Sequence, residues 1–385
     1  MAVITHVTGY FVEGMAYQEN LLPAGQGELG HNVFVITGDI DPDYGFNSES
    51  RIHCACETHY QNFALIRLKT WTEVKNKGPI LRGLFKTIRK IDPDILFIHD
   101  VGPSLIVGLL YKFAFGKVRL HFDCHSDFAN ALKSPLGPIY HGFFRLLFYF
   151  FQHKFERLFA VAPSTIDFMH QVYGIPRSKI SFLPLPGNQD LLQHKAELYT
   201  HVRRQLGIPD HWKILIHTGK MPDDKETLAV LNMFNELGQQ DVCLVLAGFV
   251  RPEFVDTLNS YISANQRVKF VGWVDSSRLR ELFIASDLLV APGSLSNSFI
   301  DAVCAGLPLV LDDTDQGRLL TQNGNGMLVA RGDLSNLVET VRSALLPERQ
   351  DAMRKAATRV ACDYDYRAIA RASLKGCFYA DGPTS

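Results

Sequence analysis

Short apolar runs rich in β-branched residues recur along the chain, separated by longer stretches with helical spacing. In the first half they are AVITHVT (2–8), HNVFVITGD (31–39), FALIRL (63–68), DILFIHD (94–100), VRLHFDCHS (118–126), RLFAVAPS (157–164) and KISFLPLPG (179–187). Runs of this kind, joined by helical segments such as RGLFKTIRKI (82–91), predict parallel strands with helical crossovers. The pattern restarts at WKILIHTGK (212–220). It continues through VCLVLAGF (242–249), RVKFVGWV (267–274), SDLLVAPGS (286–294), LPLVLDD (307–313) and NGMLVARGD (325–333). The fold class is therefore α/β, with two doubly wound, Rossmann-like domains at 1–187 and 188–360. A C-terminal helical segment, 361–385, is expected to pack back on the first domain. Two such domains predict a cleft lined by the carboxyl ends of both sheets.

Composition narrows the class. The chain has 385 residues, 46% apolar and 21% charged, which excludes a disordered chain. A formal net charge of −1 gives no global field for nucleic acid. The seven cysteines are odd in number and scattered, so they form neither a disulfide framework nor a zinc spacing. The N-terminal stretch lacks a basic n-region and a long apolar run, and no window holds 18 uninterrupted apolar residues. These features predict a cytoplasmic chain. The aromatic segment IYHGFFRLLFYFFQHKFERLF (139–159) has two readings: a core helix, or a surface that dips into a bilayer and holds the protein at the inner face of the membrane.

Four loops that follow strands carry candidate chemistry. In THVTGYFVEGMAYQEN, Gly9 and Gly14 with Met15 make either a plain tight turn or a small-residue approach to an anion at a helix N-terminus. Pro23, Gly25 and Gly27 are expected to weaken the helix that follows. In HFDCHSDF, alternation puts His121, Asp123, His125 and Asp127 on one side of the strand. Four polar residues there are not expected in a core. The H-x-D-x-H-x-D pattern matches no standard metal site, so His125 is read as a substrate contact, or else as a strand-end histidine bonded to backbone. In HTGKMPDDKET, the strand is expected to end at Thr218. Gly219, Lys220 and Lys225 then form either a cationic clamp for a diphosphate or a solvated turn paired by Asp223 and Asp224. In APGSLSNSFIDAVCAGLPLVLDD (291–313), Ser296, Asn297 and Ser298 precede a helix capped by Gly306. Asp301 lies about one turn in, placed to accept from a ribose diol or to balance the helix dipole.

The ordered set of KILIHTGK, LVLAGF, VKFVGWV, LFIASDLLVAPGS, FIDAVCAGLPLV and NGMLVARGD resembles the retaining GT-B glycosyltransferases of family 4. The first half agrees through LGHNVFVITGD, DPDILFIHD and APSTIDFMHQVYGIPRSKISFLPLPG. The resemblance implies transfer of a sugar from a UDP- or GDP-sugar to a glycan or lipid-linked acceptor with retention of configuration. Cell-envelope polysaccharide or glycolipid assembly is the implied setting. No metal or other cofactor is implied. It casts Lys220 and Lys225 as the cations on the leaving diphosphate and His125 as the histidine near the transferred sugar. Gly219, Gly14 and Met15 fall in the loops around the donor phosphates. The backbone at Asn297, Ser298 and Phe299 falls beside those phosphates, and Asp301 falls on the ribose. The family's E-x7-E motif is altered here, with Asp301 at its second acid and Gly293 eight positions earlier. That departure keeps two alternatives open: a nucleotide-sugar 2-epimerase of the same fold, and a non-catalytic GT-B partner subunit. No carboxylate pair stands out at glycosidase spacing, which argues against hydrolysis by two acids.

Overall fold

The structure, a computed structural model, describes residues 1–42, 51–74, 78–131, 137–222, 226–294 and 298–375. It divides into two compact units. One holds Met1–Glu13, Tyr17–Pro186 and the C-terminal residues from Tyr366. The other holds Gly14–Ala16 and Gly187–Asp365.

The first unit contains β1 (Val3–Val7), α1 (Gln18–Glu28), β2 (Asn32–Gly38), β3 (Glu57–His59), β4 (Ala64–Leu68), β5 (Thr70–Val74) and β6 (Gly78–Leu81). It continues through α2 (Leu84–Ile91), β7 (Ile95–His99), α3 (Pro103–Ala114), β8 (Arg119–Cys124), α4 (Phe128–Ala131), α5 (Gly137–Phe151), β9 (Phe155–Ala160), α6 (Pro163–Tyr173) and β10 (Ile180–Phe182). Eight strands form one sheet in the order β10-β9-β8-β7-β1-β2-β4-β3, parallel except for β3 against β4, and β5 and β6 make a separate hairpin. The central strands β1 and β7 are largely buried on both faces because helices cover both. On one side Ile98, Leu120 and Phe122 pack with Leu105, Phe144 and Phe148. On the other, Phe97 and Phe159 pack with Leu22 and Ile369.

The second unit contains α7 (Lys195–Gln205), β11 (Lys213–Met221), α8 (Thr227–Leu237), β12 (Val242–Val250), α9 (Val255–Ala264), β13 (Val268–Phe270) and α10 (Ser276–Ala285). It ends with β14 (Leu288–Ala291), α11 (Ser298–Cys304), β15 (Leu309–Asp312), α12 (Asp315–Thr321), β16 (Gly326–Val329), α13 (Leu334–Ala344) and α14 (Pro347–Tyr364). Its six strands are all parallel, in the order β13-β12-β11-β14-β15-β16. The last helix, α15 (Tyr366–Lys375), belongs to the first unit.

Three expectations change. Pro23, Gly25 and Gly27 do not break up α1, which runs eleven residues with Pro23 inside it. The glycines serve packing instead: a Cβ on Gly25 would lie 2.7 Å from Tyr366 O, and one on Gly27 1.8 Å from Asn62 O. The strand expected to end at Thr218 runs on to Met221, with Gly219 opposite Gly248. A Cβ on Gly248 would meet Gly219 O at 1.9 Å, so the two strands stay paired only because that residue lacks a side chain. Finally, the aromatic helix α5 is neither wholly core nor wholly surface. Gly137, His141, Phe144 and Phe148 are buried, while Ile139, Phe143, Leu146, Tyr149 and Phe150 are exposed.

Candidate active site

In each unit the strand order reverses once, and ligands of such sheets bind beyond the carboxyl ends at that reversal. In the first unit the reversal lies between β1 and β7, with β2 and β4 on one side and β8 on the other. His6 lies on β1, His99 ends β7 and Asp123 lies on β8. Parallel register puts His6 opposite Phe97 and His99 opposite Asp123. Residues up to 117 positions apart are thereby brought together at one edge.

Hydrogen bonds give this cluster a direction. Ser373 Oγ donates to Ala370 O, so it accepts from Gln26 Nε2 at 3.0 Å. That turns Gln26 Oε1, an acceptor, toward His6 Nε2 at 2.7 Å. Burial, reinforced by His99, pushes the His6 pKa down to about 3, so the ring is neutral. Its single proton therefore sits on Nε2, and its bare Nδ1 accepts from His99 Nε2 at 2.9 Å. His99 Nδ1 in turn donates to Asp123 Oδ2 at 2.8 Å, which ties the histidine pair to the carboxylate.

Asp123 is fully buried and gathers three donors: His99, Gln18 Nε2 at 2.8 Å and His125 Nε2 at 3.4 Å. Burial pushes its carboxyl up, but the charges and hydrogen bonds of His99 and His125 outweigh burial and hold it below the ordinary value. Burial likewise disfavours a charged His125, but Asp123 overrides it and raises the His125 pKa to about 9. His125 keeps a 28% exposed side chain. With His99, Asp100, Ser126, Glu19 and the first turn of α3 it lines a cavity of about 410 Å³. Asp100 adopts φ +60, a conformation costly for most side chains, and accepts from Ser126 Oγ at 3.2 Å. The cavity thus presents a protonated imidazole, a carboxylate and a hydroxyl, a set suited to sugar hydroxyls.

The expectation that none of His121, Asp123, His125 and Asp127 is core is corrected for two of them. The strand stops at Cys124, and both His121 and Asp123 lie within it, buried. His121 stands between the edges of Phe97 and Phe159 and makes no hydrogen bond through either ring nitrogen. Burial lowers its pKa to about 3 and leaves it neutral. His99, Asp123 and His125 are the one described group with metal-ligand spacing, each offering an atom within 4.8 Å of the others. Both nitrogens of His99 already hydrogen bond, which leaves it no lone pair for a cation.

In the second unit the reversal lies between β11 and β14. Gly219 and the exposed Lys220 stand at the carboxyl end of β11, and Pro292 and Gly293 follow β14. Beneath them the buried His217 ties β14 to the start of α8, through Val290 O at 2.8 Å and Thr227 Oγ1 at 3.0 Å. Ser298 opens α11 and Phe299 is fully buried in it. Gly306 (φ +61) ends the helix as expected, with Leu307 N–H donating to Ala302 O and Gly306 N–H to Val303 O. Asp301 is only 3% exposed and accepts from Asn188 N–H at 3.2 Å. Burial raises its pKa to about 6, only partly offset by Arg280. Gly14 (φ +75) and Met15 group with this unit, where Ala16 N–H donates to Ser276 Oγ at 3.1 Å. Lys225 and Asn297 lie outside the described residues.

The sequence reading missed His6, Gln18, Gln26, His99 and Asp100 in the first unit and His217 and Arg280 in the second. The His-Asp pair ending DILFIHD was the available signal, since polar residues closing an apolar strand fall where a doubly wound sheet binds ligands.

Residues 22–186 match the family described as Glycosyltransferase Family 4, and residues 212–346 match Glycosyl transferases group 1. The chain is 22% identical over 259 residues to alpha-galactosylglucosyldiacylglycerol synthase of Streptococcus pneumoniae, covering 64% of this chain and 68% of that one. Among solved structures it is similar to a glycosyltransferase of Rickettsia africae, with TM-score 0.72 and 15% identity over 97% of each chain. It is also similar to Anabaena HepE in complex with UDP, with TM-score 0.70 and 15% identity over 98% of this chain and 99% of that one. Both sheets and their order are those of the GT-B fold.

Proposed function

We propose, on the premise that this chain is a glycosyltransferase of the GT-B fold, that it moves a sugar from a UDP-sugar to a lipid-linked or glycan acceptor with retention of configuration and without a metal. The observation that carries the reading is the His99–Asp123–His125 group at the strand-order reversal of the first unit, opening on a cavity of sugar size. A His125 pKa of about 9 keeps that ring protonated at neutral pH. It therefore acts as a donor to the sugar or its phosphate and not as a general base. As the anomeric C–O bond breaks, charge develops on the diphosphate. Lys220, Lys225 and the backbone from Asn297 to Phe299 stabilise that charge, with Gly219, Gly14 and Met15 allowing close approach. The acceptor oxygen bonds to the anomeric carbon, and its proton leaves with the diphosphate. Asp301 takes the ribose hydroxyls. UDP is favoured over GDP because the HepE structure holds UDP. A lipid-linked acceptor, and with it peripheral membrane contact, is favoured because the Streptococcus relative is a glycolipid synthase.

A second reading, 2-epimerisation of the nucleotide sugar, draws on the same cavity, where Glu19 and Asp100 join His99 and His125 as groups able to move protons. One assay separates the two. Incubation with a panel of UDP-, GDP- and ADP-sugars, with and without membrane lipid extract, is expected to release nucleoside diphosphate from one donor and to fail in Lys220→Ala. An epimeric nucleotide sugar formed without acceptor would replace transfer by epimerisation. Neither product from any donor would defeat both readings.

A further inference from the structure

A helix on the surface of a soluble protein is apolar on one stripe only, yet α5 is apolar on two. Its buried stripe runs through Gly137, His141, Phe144 and Phe148. On the opposite side Ile139, Phe143, Leu146 and Phe150 follow one another at helical spacing, joined by Tyr149, and all are exposed, Ile139 and Tyr149 at 72%. The neighbouring α3 repeats the pattern with Ile106, Leu110 and Phe113 exposed over a buried Leu105 and Leu109. Phe113 meets Phe151 edge-on at 5.3 Å, so the two helices present one continuous apolar face.

Charge is as uneven as hydropathy. Residues 101–122 and 128–155 contain six Lys and Arg and no Asp or Glu, in a chain of net charge −1. Around the apolar face, Lys112 Nζ donates to Gly116 O and Val118 O, Arg145 donates to Gln171 O and Val172 O, and Lys154 lies over the Phe113 ring at 5.5 Å. All three partners are neutral, so the positive charge remains. The bordering acids Asp92 and Glu156 are turned to Lys117 and Arg119. Exposed Phe, Tyr and Leu flanked by cations, with Glu156 beside Lys112, Phe113 and Lys154, fit the headgroup region of an anionic bilayer.

We propose that the α3–α5 face of the first unit is a docking surface for anionic phospholipid bilayers. This deepens the peripheral contact inferred above by giving it a location and a lipid charge, and it stands or falls independently of sugar transfer.

The test is co-sedimentation of the full chain with phosphatidylglycerol-containing vesicles and with pure phosphatidylcholine vesicles, at low and at physiological salt. Binding to the anionic vesicles is expected to exceed that to the neutral ones by about 10-fold, and to weaken as salt rises. Phe143→Ser/Leu146→Ser/Phe150→Ser is expected to lose about 10-fold or more on anionic vesicles. Lys112→Gln/Lys154→Gln should lose severalfold there and nothing on phosphatidylcholine. The charge variant keeps the test decisive if the triple variant unfolds in a thermal melt. Absence of binding by the wild-type chain, or binding that both variants retain, would overturn the proposal. So would self-association of the wild-type chain that the triple variant abolishes without any lipid binding, which would assign the face to a second copy. Nucleotide release with a soluble acceptor is unchanged in the triple variant if transfer and docking are separate.

Discussion

Asp123 in the first unit and Asp287 in the second are both carboxylates removed from water, and they do opposite work. Asp287 stands before β14, at the amino end of its sheet. It pairs with the buried guanidinium of Arg203, accepts from Arg354 at 2.8 Å and Ile214 N–H at 2.8 Å, and has Lys213 at 3.9 Å. Arginine does not titrate in the working range, so this charge balance is permanent. Asp123 lies near the carboxyl end of its sheet and is balanced by imidazoles, one of which opens on a cavity. Burial alone therefore does not mark a functional acid. The kind of partner, and the end of the strand it occupies, separate a clamp from a site.

The largest expected effect comes from breaking the clamp. Asp287→Ala leaves Arg203 buried and uncompensated and should cost about 3–5 kcal/mol in denaturant unfolding. Asp123→Asn should instead cut sugar transfer about 100-fold or more while lowering Tm far less. Equal destabilisation by the two changes, with activity tracking the folded fraction, would erase the contrast. His125→Ala should lose about 100-fold in kcat at a temperature where both chains are folded, a loss well beyond what the Tm decrease from removing its pairing with Asp123 explains.

The pH dependence sharpens the same comparison. The folded pKa of His125, about 9, lies above its unfolded value near 6.5. Its contribution is full below 6.5 and is lost as pH rises through 9. The stability gap between wild type and His125→Gln should therefore close across that window. Asp301 has the reverse sign. Its raised pKa means that ionisation in the fold carries a penalty, absent near pH 3 and complete above pH 6. Asp301→Asn should gain on the order of 2 kcal/mol at pH 8 relative to pH 4. The same variant should bind nucleotide more weakly, read by calorimetry. The smallest effect is His121→Phe. Replacing a neutral ring without hydrogen bonds by a similar apolar ring should change stability by about 1 kcal/mol or less and leave transfer untouched.

Both sheets were legible because helix-covered strands are buried on both faces and read as short apolar runs between helical segments. What was not legible depends on contacts distant in sequence. Gly25 and Gly27 read only as weak points of a helix until Tyr366 and Asn62 show what packs against them. Gly248 lets β11 run past Thr218, a property of the neighbouring strand. Of the site, His125 stood out as a polar residue just past an apolar strand. His6, Gln18, Gln26 and His99 did not, because each is ordinary within its own segment and becomes part of a network only through parallel register.

The most direct measurement is nucleoside diphosphate release from a donor panel by the wild-type chain and by His125→Ala, with Tm recorded for both. The expected result is turnover of one donor and a loss of about 100-fold in the variant, measured below the Tm of both chains. Turnover that survives His125→Ala, or no turnover of any donor by a folded wild-type chain, would contradict the assignment of this cavity to sugar transfer.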